Sequence, residues 1–243
     1  MRILLIRHAD PDYAHDSLTE AGVLEADLLA ERLCHEQVDA VYASPLGRAQ
    51  ATAAPTLAAT GLVCETMPWL HEFQVPIMRP DTGAKGSTIP WDWLPADWCQ
   101  DPLLQDPVRW RESAPMRDGR VGEAYDVVTD AFDDLLARHG YIRQGLLYRV
   151  MRPNTETIAL FCHFGVACVL LSHLMHCSPM VLWHGLCMAP SSVTRVVSEE
   201  RRPGVASFRA LTIGDVAHLY ASGVSPSFSA RFCEVFGNGD RVD

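Results

Sequence analysis

A histidine beside an arginine at the end of an apolar run is a place where phosphate chemistry can begin, and this sequence has one at Arg7-His8. The run Arg2 to Ile6 reads as a buried strand that stops at Arg7-His8-Ala9-Asp10-Pro11. Arg48 follows a second such run, Val38 to Ala43, and His163 follows a third, Thr157 to Cys162. Glu72 stands a few residues after a shorter one, Leu62 to Met67. Guanidinium pairs bidentately with phosphate oxygens and helix N-termini favour anions, so two arginines and two histidines at strand ends describe a site for a tetrahedral oxyanion. An imidazole on its floor can attack phosphorus when one ring nitrogen is held as N–H and the other keeps its lone pair. Taken singly, each residue has a plainer reading: Arg7-His8 in a surface loop, Arg48 on a solvated helix face, Glu72 as an exposed carboxylate. For His163, between Phe161, Cys162 and Phe164, it is a core histidine. Their joint placement at strand ends favours the site.

Such strand ends need a sheet to align them. Asp16-Ser17-Leu18-Thr19 offers cap residues to a helix with Val23, Leu24, Leu28, Leu29 and Leu33 at helical spacing. Ser44-Pro45 predicts a helix from Pro45 to about Thr60, with proline where its missing N–H costs nothing and the free N–H groups turned to the site. Further helices are expected over Gly122 to Arg138 and from His163-Phe164-Gly165 through Met175, and further strands over Ser192 to Val197 and Ser207 to Thr212. The order gives an α/β fold, a doubly wound, mostly parallel sheet sandwiched by helices, with function outside the carboxyl ends of the strands.

From Phe73 to about Gly119 the periodicity is lost, and Trp91, Trp93, Trp98 and Trp110 stand among prolines, glycines and aspartates. We expect an ordered insertion within a single domain spanning 1–243, a lid at 73–119 that sets substrate choice. Its tryptophans either anchor it to the core, the plainer reading, or face the pocket and bind an apolar or aromatic leaving group.

With 243 residues and 48% of them hydrophobic, the chain can bury a sizeable core. Its net charge of −10 argues against general affinity for nucleic acid or an anionic membrane. No apolar run approaches the roughly 18 residues of a span, and Met1 to Ile6 is too short for a signal-peptide core, so a cytoplasmic location is expected. The eight cysteines show no CxxC pair and read as free thiols.

Leu5-Ile6-Arg7-His8-Ala9 resembles the Arg-His-Gly signature of the histidine phosphatase superfamily, which includes the cofactor-dependent phosphoglycerate mutases. Asp16 to Gly22 resembles that family's Asp-x-Pro-Leu-Thr-x-x-Gly, and Val41 to Ala49 its Ser-Ser-Pro-x-x-Arg-Ala segment. Leu70-His71-Glu72 is similar to its Leu-x-Glu, Gly122-Glu123 to its Gly-Glu-Ser, and Cys162-His163-Phe164-Gly165 to its Ser-His-Gly-Gly. The resemblance implies that His8 is the nucleophile and that Arg7, Arg48 and His163 hold phosphoryl oxygens. Glu72 would protonate the leaving oxygen and then activate water, with no metal or cofactor. Phe164 and Tyr13 complete the substrate-binding set. Ala9 and Phe164 replace family glycines, and the family's asparagine has no match among Tyr13, Ala14 and His15.

Three alternatives stand beside a phosphomonoester phosphatase. A mutase would need a basic lid, whereas the insertion carries Asp81, Asp92, Asp97, Asp101 and Asp106; Arg79, Lys85, Arg109, Arg111, Arg117 and Arg120 could still meet a second anionic group. A silent phospho-ligand binder would have lost His8, His163 or Arg48. A metal site from Cys162, His163, Cys168, His173, His176 and Cys177 lacks four-ligand spacing. The partners expected are a small-molecule phosphate ester and, left open, a second copy of the chain in a homodimer.

Overall fold

The computed structural model describes residues 1–80, 88–91 and 93–227. Asp81, Lys85, Asp92, Cys233 and the end of the C-terminal segment lie outside the described residues. In chain order the first elements are β1 (Arg2–Arg7), β2 (Pro11–Asp12), β3 (Ser17–Leu18), α1 (Glu20–Cys34), β4 (Ala40–Ala43), α2 (Gly47–Thr60) and β5 (Cys64–Thr66). Short turns of helix follow, α3 (Pro95–Trp98) and α4 (Ala114–Asp118), and then the long α5 (Val121–Arg138). The chain continues through β6 (Tyr141–Gln144), β7 (Leu147–Val150), β8 (Thr157–Cys162), α6 (Phe164–Met175), α7 (Pro179–Gly185), β9 (Val193–Arg202), β10 (Val205–Asp215) and α8 (Ala217–Ala221).

The main sheet has the order β5-β4-β8-β1-β9-β10-β7-β6. Because side chains alternate along a strand, β1 supplies both faces. Ile3 and Leu5 join Tyr42, Ile158, Leu160 and Cys162 in one buried cluster with Phe132 of α5 and Val169 of α6. Leu4 and Ile6 join Val41, Ala43, Ala159 and Phe161 in the other, with Leu29 and Leu33 of α1 and Ala53 of α2. This is the expected sandwich of helices about a sheet. Continuous apolar runs are what strands buried on both faces require, which is why β1 and β8 were legible.

Parallel pairing holds for β5, β4, β8 and β1, the part that carries the expected strand ends. The expectation of a mostly parallel sheet is corrected beyond it, where β9, β10, β7 and β6 are all antiparallel. The cause is local: β6–β7 and β9–β10 are hairpins whose turns place Gly145 and Gly204 at φ 61° and 81°, and such tight turns join only antiparallel neighbours. From 104 onward the insertion is built into the core rather than laid over it, with Leu104, Trp110 and Met116 at 1% exposure or less. Among the described residues no helix is long and apolar enough to cross a membrane.

Candidate active site

The order β4-β8-β1 sets three carboxyl ends side by side. Ala43 pairs with Phe161, and Arg7 with Cys162, so the next residues along, Ser44, His163 and His8, emerge together. The backbone of His8 is fixed from both sides: its N–H donates to Cys162 O at 2.9 Å, and its carbonyl accepts from Ser191 N at 3.1 Å.

His8 Nδ1 lies 2.8 Å from Ala9 O. A carbonyl only accepts, so Nδ1 carries the hydrogen and Nε2 keeps its lone pair. Ala9 is fully buried, its N–H donating to Thr52 Oγ1 at 2.9 Å, and its φ is not positive, so alanine serves where the family has glycine. The His163 ring lies 5.1 Å from that of His8, with Nε2 2.7 Å from Ser44 Oγ. Ser44 Oγ accepts from Leu46 N at 3.2 Å, and its own hydrogen is available to His163 Nε2. With Ser44 donating to Nε2, the one ring hydrogen of neutral His163 sits on Nδ1, a buried atom with no partner among the described residues. A buried, unpartnered N–H beside the nucleophilic ring is a donor held ready for a ligand oxygen. Burial first, and then the Arg7 guanidinium, pushes His8 down to about 3. Burial and the neighbouring His8 push His163 down to about 2. Both rings are therefore neutral near pH 7.

Arg7 is 3% exposed and donates to Met188 O at 2.5 Å. Arg48 donates from Nη1 to Asp16 Oδ1 at 2.6 Å, while its Nε is buried with no partner among the described residues. Tyr13, 62% exposed, caps this group: its ring stands edge-on to His8 at 6.4 Å and lies under the Arg48 guanidinium at 5.5 Å.

The helix after Ser44 corrects the sequence reading. It begins at Gly47, not Pro45. The N–H groups expected to face an anion are taken, that of Leu46 by Ser44 Oγ and that of Gly47 by Asp16 Oδ2 at 2.6 Å. Ser44 serves His163 instead of starting the helix, a role the sequence does not announce, since Ser-Pro is equally a capping pattern.

Glu72 reaches the same cluster from the loop after the 3-10 turn Pro68–Leu70. Its Oε1 accepts from Phe73 N at 2.8 Å and, at the first turn of α6, from Val166 N at 3.1 Å. Burial pushes its carboxyl above the ordinary carboxylate range, against the pull of those N–H groups and of the Arg7 charge. Gly165 separates this carboxylate from an indole: a β-carbon there would fall 2.7 Å from Glu72 Oε1 and 2.8 Å from Trp91 Nε1. Both neighbours are tethered, so Gly165→Ala is expected to cost about 1–3 kcal/mol of stability as an overpacked site. Urea unfolding checks this, and a midpoint matching the wild type would show that the loop yields freely.

Phe164 is buried with its ring 5.7 Å from that of Trp91. The other tryptophans anchor. Trp110 packs on Tyr125 and Trp183, Trp98 stacks on His184, and Trp93 is buried. Glu123, from the Gly-Glu motif, pairs with exposed Arg120. The metal alternative disperses, with His173 on Asp133, His176 beside Arg143, and Cys162 and Cys168 in the core. Among the described residues no group of three or more such side chains converges. The described cysteines are free. A cavity of about 380 Å³, lined by Arg111, Tyr125, Arg143 and His176, lies at the far end of α6 from His163.

The family model described as the histidine phosphatase superfamily (branch 1) matches residues 3–210. No curated protein matches the chain by sequence. Solved structures share its fold. A mycobacterial glucosyl-3-phosphoglycerate phosphatase superposes with a TM-score of 0.56 at 21% identity, covering 88% of this chain and 98% of its own. The Entamoeba histolytica phosphoserine phosphatase, as an H9A mutant with phosphoserine, gives 0.56 at 15% identity, covering 90% and 98%. YhfR of Bacillus stearothermophilus gives 0.55 at 22%, covering 89% and 98%.

Proposed function

The chain belongs to the histidine phosphatase superfamily, and from that premise we propose that it hydrolyses phosphomonoesters through a phosphohistidine on His8. The observation that carries the reading is the Nδ1–H of His8 on Ala9 O, which leaves Nε2 as a nucleophile among Arg7, Arg48 and His163. Structural neighbours that are phosphatases support hydrolysis as the reaction.

In this reading Nε2 attacks phosphorus in line with the ester bond. Arg7, Arg48 and His163 Nδ1–H hold the phosphoryl oxygens, where fixed donors act most strongly as charge redistributes. Arg48 turns from Asp16 to the phosphate, and Tyr13 moves aside. As the ester P–O bond breaks, Glu72 gives its proton to the leaving oxygen. With Oε1 engaged by backbone N–H groups, that proton sits on Oε2. The Glu72 carboxylate then takes a proton from water, whose oxygen attacks phosphorus; the P–N bond breaks, phosphate leaves, and His8 and Glu72 are restored. The guanidiniums stand where other phosphatases use a divalent ion. A phosphomonoester assay in excess chelator tests this, with phosphate release expected to continue. Loss of activity restored by a divalent ion would place the protein in another class of phosphatase.

The pH dependence has a definite sign. His8 reacts only when neutral and, with its pKa held down to about 3, stays neutral far below the range of an ordinary imidazole. Glu72 reacts only when protonated, and burial raises its pKa, so the rate falls as pH rises through that value. For an alkyl phosphate, kcat/KM, which reports the free enzyme, is expected to have a falling limb at high pH set by loss of the Glu72 proton, displaced upward from that of an ordinary carboxyl. An alkaline optimum would contradict the assignment of Glu72.

Hydrolysis is favoured over phosphoryl transfer between hydroxyls by the state of four of the insertion's six cations. Arg109, Arg111, Arg117 and Arg120 each pair with a nearby carboxylate, those of Glu112, Asp126, Asp118 and Glu123.

A further inference from the structure

Resting on the phosphatase reading of this site, we infer that the alcohol portion of the substrate is an uncharged, flat apolar or aromatic group, bound against the Trp91–Phe164 pair. The leaving oxygen must sit at Glu72, so whatever it is attached to extends from there. The surface it meets is aromatic. The Trp91 indole is tethered beside Glu72 by its Nε1–H to Phe73 O at 2.9 Å, and its backbone is held by Arg79 Nη1 on Trp91 O at 3.2 Å. Phe164 meets it at 5.7 Å with the ring planes 73° apart, forming a corner. Two rings at such an angle offer one face and one edge to a third ring, the arrangement aromatic groups prefer. Trp91 is half-buried, so part of its surface stays open, whereas Trp93 and Trp110 are closed into the core. Absence of a side chain at Gly165 is what lets indole and carboxylate share this corner.

The charges point the same way. A carboxylate or second phosphate on the substrate would need a cation here. Among the described residues, the four insertion arginines above are engaged by carboxylates, and Arg79 gives one N–H to the Trp91 carbonyl. With a net charge of −10, the protein as a whole adds repulsion.

The test compares two alkyl esters with equal need of a proton, 2-phenylethyl phosphate and glycerol 3-phosphate, and the charged phosphoserine, on the wild type, Trp91→Ala and Trp91→Phe. Wild type is expected to favour the phenylethyl ester in kcat/KM by about ten-fold or more. Trp91→Ala should bring that ratio to near one, and Trp91→Phe should keep most of it. If Trp91→Ala fails to fold, Phe164→Leu serves in its place. Equal turnover of both esters by wild type, or preference for glycerol 3-phosphate or phosphoserine, overturns the inference and leaves the phosphatase reading intact. Release of phosphate from no ester overturns that reading, and this inference with it.

Discussion

His8→Asn is expected to lower kcat by about 10⁴-fold or more on every phosphomonoester, as loss of a covalent nucleophile does when its supporting groups remain. Asparagine is the informative substitution because its amide fits the space and can still donate to Ala9 O. It removes only the lone pair at the Nε2 position. The fold should persist, since His8 is held chiefly through its backbone to Cys162 and Ser191. Circular dichroism and phosphate binding by the variant separate loss of chemistry from loss of structure. A folded variant that keeps kcat within a few-fold of wild type would show that His8 is not the nucleophile.

Glu72→Gln should produce the next largest loss, and one that depends on the leaving group. Glutamine keeps an acceptor for the N–H groups of Phe73 and Val166 but has no proton to give. An alkyl phosphate should lose about 10²–10⁴-fold, the usual contribution of a positioned general acid. A nitrophenyl phosphate, whose leaving group hardly needs the proton, should lose far less. Equal losses on both would reassign the acid, for which Asp16, on Arg48, and Asp10, whose charge reaches His8, are the other carboxylates offered.

The parts of the site legible in the sequence were those that ride on buried parallel strands. Arg7 ends β1, and His8 and His163 directly follow β1 and β8, whose unbroken apolar runs mark their own ends; the structure sets them together. Glu72 and Arg48 were legible mainly through resemblance, since nothing in Leu70-His71-Glu72 by itself says that the carboxylate turns inward onto the first turn of α6. Ser44 was read as a cap because Ser-Pro fits a helix start, and only the neighbouring β8 reveals its use on His163. The hairpin β6–β7 went unassigned because its strands are short and half-exposed. Trp91 could not be told from Trp93 and Trp98 in the sequence, as what distinguishes it is the empty space at Gly165, more than seventy residues away.

Rapid quenching of wild type with phosphorus-labelled alkyl phosphate tests the central claim most directly. The account predicts a protein-bound label that appears before free phosphate accumulates, is labile to acid and stable to alkali, and maps to Nε2 of His8, the nitrogen left free by the bond to Ala9 O. It should be absent from His8→Asn and should persist longer in Glu72→Gln, where water lacks its base. Turnover without any labelled protein, or a label carried by His163 or another residue, would contradict it.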